Sequence, residues 1–329
     1  MAAATGDILR LVRKGIDIRT VHANVRKPFR FYLCGDPGLV AEMRSFLLSG
    51  HTDESVPFEA AACLETIVPG LTQATLASEA RIILFLGRGG DVSGASIAPL
   101  RGLNLPIIAI TVDEQAQPSG PSSPPPRGQF AEYTVPAISR EALRGRVFPH
   151  VVELCKGIEI AVGRNLPPMR ETVAAKLTRD AANNALKIAL ASAVVDHSPV
   201  VGLVMGVFAS AGDMMAITGI QMMLMLHIEA AYGKDPDVQR MWQLLPVIGG
   251  GFGWRSLARE LSGFIPVAGI AIKGAIAYAG TIVVGEGVTF YYEHGRQMSS
   301  GQAKLIYETT KTEAMTFARD LLARITKKR

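Results

Sequence analysis

The chain has 329 residues, 48% of them hydrophobic and 19% charged, with a mean hydropathy of +0.24. Those values exclude a disordered or fibrous chain and suggest about two domains, each with a core of its own. The formal charge of +5 is unevenly spread: residues 1–30 carry +5, residues 31–169 carry −4 and residues 170–329 carry +4. Basic residues are not interleaved with aromatics, which speaks against nucleic acid as a partner. Cys34, Cys63 and Cys155 are odd in number, far apart and outside metal-ligand spacing. This suits a reducing cytosol and argues against a disulfide framework or a zinc site.

The segment 1–27 is basic and lacks the apolar run of a secretory leader. Within it, residues 6–21 place Ile8, Leu9, Val12 and Ile16 at helical spacing. Such a helix lies either on a membrane surface or against its own domain. Residues 28–165 then alternate strand and helix signals. Strands are expected at 28–35, 58–68, 81–87, 105–112 and 130–136. Helices are expected at 39–48, 70–79 and 94–102, and from about Ser139. Short apolar runs separated by helical stretches imply a mostly parallel, buried sheet with flanking helices. The run QAQPSGPSSPPPRG (115–128) is expected to be a mobile loop, either a linker or a ligand for another domain.

The sequence NLPPM (165–169) marks the expected boundary with an all-α, apolar domain spanning 166–329. From Ile188 to Ile228 there is no Lys or Arg, and the acids there are Asp196 and Asp213. Six of the 12 methionines fall in that stretch: Met205, Met214, Met215, Met222, Met223 and Met225. They serve as core filler or as an adaptable binding surface. A second apolar block, Phe264 to Tyr292, is interrupted by Lys273 and Glu286, and residues 303–329 read as an amphipathic helix. Asp213 leaves apolar stretches of roughly 15 residues on each side, which rise roughly 22 Å as helix against a bilayer core of roughly 30 Å. Simple membrane spans are therefore not favoured; the helices bundle, insert as an oligomer or lie in the interface. Ala271, Ala275 and Ala279 recur every fourth position, followed by Gly280 and Gly285. The row fits either packing within one chain or an oligomer seam. Asp213 is an acid in an apolar stretch and needs a partner, for which Lys273 is the candidate.

Other local patterns carry less. The glycine run IGGGFGW (248–254) is a helix–helix turn or an anion-binding nest. Asp196, His197 and Ser198 are adjacent, and neighbours in an extended or turn segment point apart, which is unsuited to a catalytic triad. No two of the six histidines lie within four residues of each other, and His227 reads as a satisfied core residue. The turn Arg88-Gly89-Gly90-Asp91 is a candidate lip for a ligand.

The first strand–turn–helix, with Gly35, Asp36, Pro37 and Gly38, stands where α/β proteins hold phosphate. A P-loop needs Gly, four residues, Gly, Lys and Ser or Thr. Gly35 fits, but the last three positions are Val40, Ala41 and Glu42, so both the phosphate-binding lysine and the Mg²⁺-holding hydroxyl are missing. Ile67-Val68-Pro69-Gly70 keeps the Pro-Gly of a second GTPase motif without its Asp. At the guanine-reading positions stand Thr111, Val112, Asp113 and Glu114. Together with the strand RIILFLG and the segment Tyr133–Ser139, this order resembles an Era-like GTPase domain over 28–164, with each chemical motif degraded. The resemblance implies a pseudo-GTPase whose degenerate pocket holds Gly35, Asp36, Gly38 and Glu114.

Residues 185–192, 211–233 and 264–295 are similar, over about 166–308, to the helical domain of unknown function that follows many bacterial GTPases and recurs in the YcjF-type membrane-protein family. Asp213, Tyr232-Gly233, Ile265-Pro266 with Gly269, and Thr281 with Gly285 carry that likeness. It implies membrane association and partnership with GTPases. The expectation is thus a non-catalytic, cofactor-free interaction and assembly protein of the bacterial cytoplasm or its membrane surface. Its expected partners are further copies of itself, a partner GTPase or a membrane. The alternatives are a phosphate-ligand- or nucleotide-binding switch without hydrolysis, and an integral membrane oligomer.

Overall fold

The structure, a computed structural model, describes residues 18–51, 56–67, 76–89, 91–92, 94–195, 202–237, 239 and 269–327. The chain divides into two compact units. One holds residues 22–176 and 230–234; the other holds 177–229 and 235–329 with the first 21 residues.

After a short helix α1 (Ile18–Val25), the first unit builds a sheet from β1 (Arg30–Gly35), β2 (Leu64–Thr66), β3 (Ala80–Arg88), β4 (Ile107–Val112) and β5 (Phe130–Val135). All four neighbouring pairs are parallel, in the order β2-β1-β3-β4-β5. The central strands β3 and β4 are apolar on both faces and buried on both, as a covered parallel sheet requires. On one face, Tyr32, Ile83, Phe85, Ile107 and Ala109 pack with Ile97 of α4 (Gly94–Arg101). Helices α2 (Pro37–Leu47) and α6 (Val147–Leu154) pack against the strands, with Phe46 and Phe148 stacked at 6.3 Å between centroids. Between β5 and α6 lies α5 (Arg140–Arg144), and α7 (Glu159–Asn165) follows.

Several expected elements differ. The strand expected over 58–68 is helix α3 (Phe58–Ala62) followed by the three-residue β2. Alanine is the best helix former, Ala60 is buried, and the Arg44 guanidinium donates to the carbonyls of Ala61 and Leu64, binding the helix end. Most of the helix expected at 70–79 lies outside the described residues, and residues 76–79 enter β3 through a turn. The Pro/Ser/Gly segment is tied down rather than free. Ser119 and Thr134 exchange two backbone hydrogen bonds of 3.0 Å, and Arg146 donates to the Gly120 carbonyl at 2.6 Å. Pro125 is buried, and Gly128 N–H donates to Leu105 O at 3.1 Å. A Cβ on Gly120 would sit 2.5 Å from the Tyr133 ring, so glycine is what lets the strap lie on β5.

The NLPPM segment does not separate the units. Pro167–Met169 form a buried 3-10 turn inside the α/β unit, and the division falls at residues 176 and 177, within α8 (Arg170–Val195). Residues 230–234 also belong to the α/β unit. Arg164 donates to Lys234 O at 3.0 Å, and the Arg170 guanidinium lies 5.9 Å from the Tyr232 ring centroid.

The helical unit holds the rest of α8 with α9 (Gly202–Ala231), α10 (Gly269–His294) and α11 (Ser300–Lys327). Helix α10 is its axis: Gly274–Ala277, Ala279–Thr281 and Val283–Gly285 are all buried. Tyr278, Ile282 and Glu286 form a half-buried stripe on the remaining face, and a helix this largely apolar belongs inside a bundle. A Cβ on Gly274 would meet Leu186 at 2.7 Å, and one on Gly285 would meet Thr178 at 2.1 Å, so α8 runs antiparallel to α10. Ile217 packs with Ala277, and Gln221 bonds Thr281, so α9 runs parallel to it. Ala279 and Val283 pack on Ala303 and Tyr307 of α11. Among the described residues no strand follows residue 166, and no helix is long and apolar enough to cross a membrane.

Candidate functional site

In an open parallel sheet, ligands bind beyond the carboxyl ends of the strands where the winding reverses, here between β1 and β3. The turn at that point is short. Gly35 ends β1 with φ +112°, and a Cβ there would lie 1.9 Å from Leu86 O. Asp36 N–H donates to the same carbonyl at 2.8 Å, and α2 begins at the next residue.

The amino end of α2 is occupied by the chain itself. A free helix start offers unsatisfied N–H groups and a partial positive charge to an anion. Here Pro37 has no N–H. Leu39 N–H donates to Asp36 Oδ1 at 2.9 Å, and Val40 N–H donates to Asp36 O at 2.9 Å. Gly38 supplies the remaining amide of the turn. The Asp36 carboxylate thus sits where a phosphate would, and its charge repels one. Val40 is buried in the core, while Ala41 and Glu42 are exposed on α2 with neither a cation nor a hydroxyl.

The other loops at this edge also close on themselves. Ile67 packs against the sheet core. Arg88 and Asp91 close a turn with two bonds of 3.0 Å, Arg88 N–H to Asp91 Oδ2 and Asp91 N–H to Arg88 O. Thr111 is buried and donates to Glu132 Oε1 at 2.7 Å; Val112 is in β4. Asp113 accepts from Gln115 N–H at 3.0 Å as a local turn, and Glu114 is exposed. Ser139 caps α5 by accepting from Ala142 N–H at 3.2 Å. Of the expected pocket, Gly35, Asp36 and Gly38 form one turn, and Glu114 stands beyond the end of β4.

Burial pushes the Cys34 and Cys63 thiols up to about 12 and raises Cys155 further, so all three stay protonated at neutral pH. No group of three or more His, Cys, Asp or Glu side chains among those residues is placed to hold a metal ion. One polar pair escaped the sequence. Tyr133 hydroxyl and His150 Nδ1 are 2.7 Å apart in the core, and burial pushes the phenol up to about 12. Residues 17 apart on a strand and a helix leave no local signal of such a pair. At the opposite edge, Arg30 pairs with Glu65 and, at 3.0 Å, with Glu79.

The residues singled out for interaction lie in the helical unit. Met222, Ala275, Ala279, Gly280 and Gly285 are buried within the chain, and Met223 and Lys273 are half-buried. The Asp213 and Ala271 side chains, Met205, Met214 and Met215, the segment 196–198 and the run 248–254 lie outside the described residues or side chains. His227 differs from expectation in one respect: its Nε2 is cut off from solvent and has no hydrogen-bond partner among the described residues. A comparison with protein families, curated proteins and solved structures finds no match to this chain.

Proposed function

We propose that this chain is a non-catalytic interaction and assembly protein. Its α/β unit is a GTPase-like frame that has lost nucleotide binding and serves as a platform. Its helical unit supplies contacts to further copies, to a partner GTPase or to a membrane surface. One observation carries the reading: the anion seat at the start of α2 is filled by Asp36 and roofed by Pro37. The missing Lys, Ser/Thr and Asp of the nucleotide motifs agree with it, as do the self-closed turns after β3 and β4.

Light scattering of the full chain tests the assembly half. The expected result is a discrete oligomer whose mass is the same with GTP, with GDP and without nucleotide. A mass that changes with nucleotide would favour a binding switch instead. A chain brought into solution by detergent alone would favour an integral membrane oligomer.

A further inference from the structure

We propose that the helical unit is built to open along one seam, where α10 meets α8 and α9, while its seam with α11 stays closed. The inference rests on the helical unit being the interaction half of the chain, and it names how that half is regulated.

The two seams differ in chemistry. Against α11, the buried residues of α10 are Ala279 and Val283, and those facing them are Ala303 and Tyr307. Against α8 and α9, buried polar groups enter. Thr178 is 2% exposed, Gln221 4% and Thr281 0%. Thr281 hydroxyl donates to Ala277 O at 2.8 Å and accepts from Gln221 Nε2 at 3.2 Å. That assignment uses the one hydroxyl proton of Thr281 and leaves none for Gln221 Oε1. Gln221 Oε1 and Thr178 Oγ1 have no hydrogen-bond partner among the described residues. Thr281 and Gly285 are one turn apart on α10, so Thr178 and Gln221 approach the same face from two helices.

Unsatisfied buried groups weaken the closed state and regain partners when water reaches them. The helix facing them, α10, is close-packed. Gly285 has no room for a Cβ against Thr178, so at that point the seam is tightly shut and sensitive to any added volume. The weak polar seam therefore parts first, and parting uncovers the small-residue face of α10 around Ala277.

Thiol labelling of the folded full chain, read site by site by mass spectrometry, tests this. Ala277→Cys reports on the polar seam and Ala279→Cys on the α11 seam. Labelling of Ala277→Cys is expected to be at least ~10-fold faster, the ratio that one unsatisfied group supports. Adding Thr178→Val and Gln221→Leu is expected to slow Ala277→Cys by at least ~10-fold, with Ala279→Cys unchanged. Gly285→Ala, which drives a methyl into Thr178, is expected to speed it. Equal labelling of the two sites, or no slowing by the apolar pair, would overturn the proposal. Light scattering on the same samples separates the two readings. Fast, seam-selective labelling in a chain that never assembles would leave the opening intact and remove the assembly role.

Discussion

At the scale of single residues, the carboxyl edge of the sheet turns on two neighbours. Gly35 can approach Leu86 O because it has no side chain, and Asp36 uses both its carboxylate and its carbonyl on the first turn of α2. Gly35→Ala would meet a backbone atom at 1.9 Å with φ at +112°. It is expected to destabilise the chain by about 3 kcal/mol in urea unfolding, as strain at a special backbone site does. His227 gives a pH signature. Burial holds its pKa below the ordinary value of 6.5. Above that value the ring is neutral in both folded and unfolded chains. Below it the unfolded chain binds a proton that the folded chain resists, so stability is lost as the pH falls from 6.5 toward the depressed folded value. The fall in Tm from pH 7 to about 5 is therefore expected to be smaller in His227→Leu than in the wild type. An equal fall would place the acid sensitivity elsewhere.

Elements show what could be read from the chain alone. The strands β1, β3, β4 and β5 were legible because continuous apolar runs bounded by turn residues have one economical use, a covered parallel sheet. Helix α3 was not, because FEAAA is apolar without a period, and what binds its end is Arg44, distant in sequence. The strap 115–128 is a loop as expected, but its anchoring was not legible for a similar reason. Proline and serine report a loop, whereas Tyr133, Thr134 and Arg146, which hold it, belong to other elements. Gly120→Ala should lift the strap from β5 and hasten tryptic cleavage at Arg127; unchanged cleavage would mean the strap is held without that contact. The cap of α2 is testable on its own. Asp36→Ala is expected to destabilise by about 1 kcal/mol while Asp36→Asn stays near neutral, since Asn also accepts the Leu39 N–H. Equal losses in the two variants would show that the charge, not the hydrogen bond, is what matters.

Across the whole molecule, the order of apolar blocks conveyed an α/β unit followed by helices, but not the division between them. Residues 165–169 read as a break because of their prolines, yet they fold as a buried turn, and the units part within one uninterrupted helix. Much of the second apolar block is explained by the bundle: α10 is buried from Gly274 to Val288 except along the half-buried stripe of Tyr278, Ile282 and Glu286. That positions 40–42 hold neither a lysine nor a hydroxyl was visible residue by residue. What replaced them was not, because an aspartate before a proline reads equally well as a loop residue or as a cap. The central claim is that the chain fills its own phosphate seat, and calorimetric titration of the full chain with Mg²⁺-GTP and then Mg²⁺-GDP tests it most directly. The expected result is no saturable heat up to about 1 mM nucleotide, an affinity weaker than about −4 kcal/mol. A saturating isotherm in the micromolar range would contradict it and return the α/β unit to the class of nucleotide-binding switches.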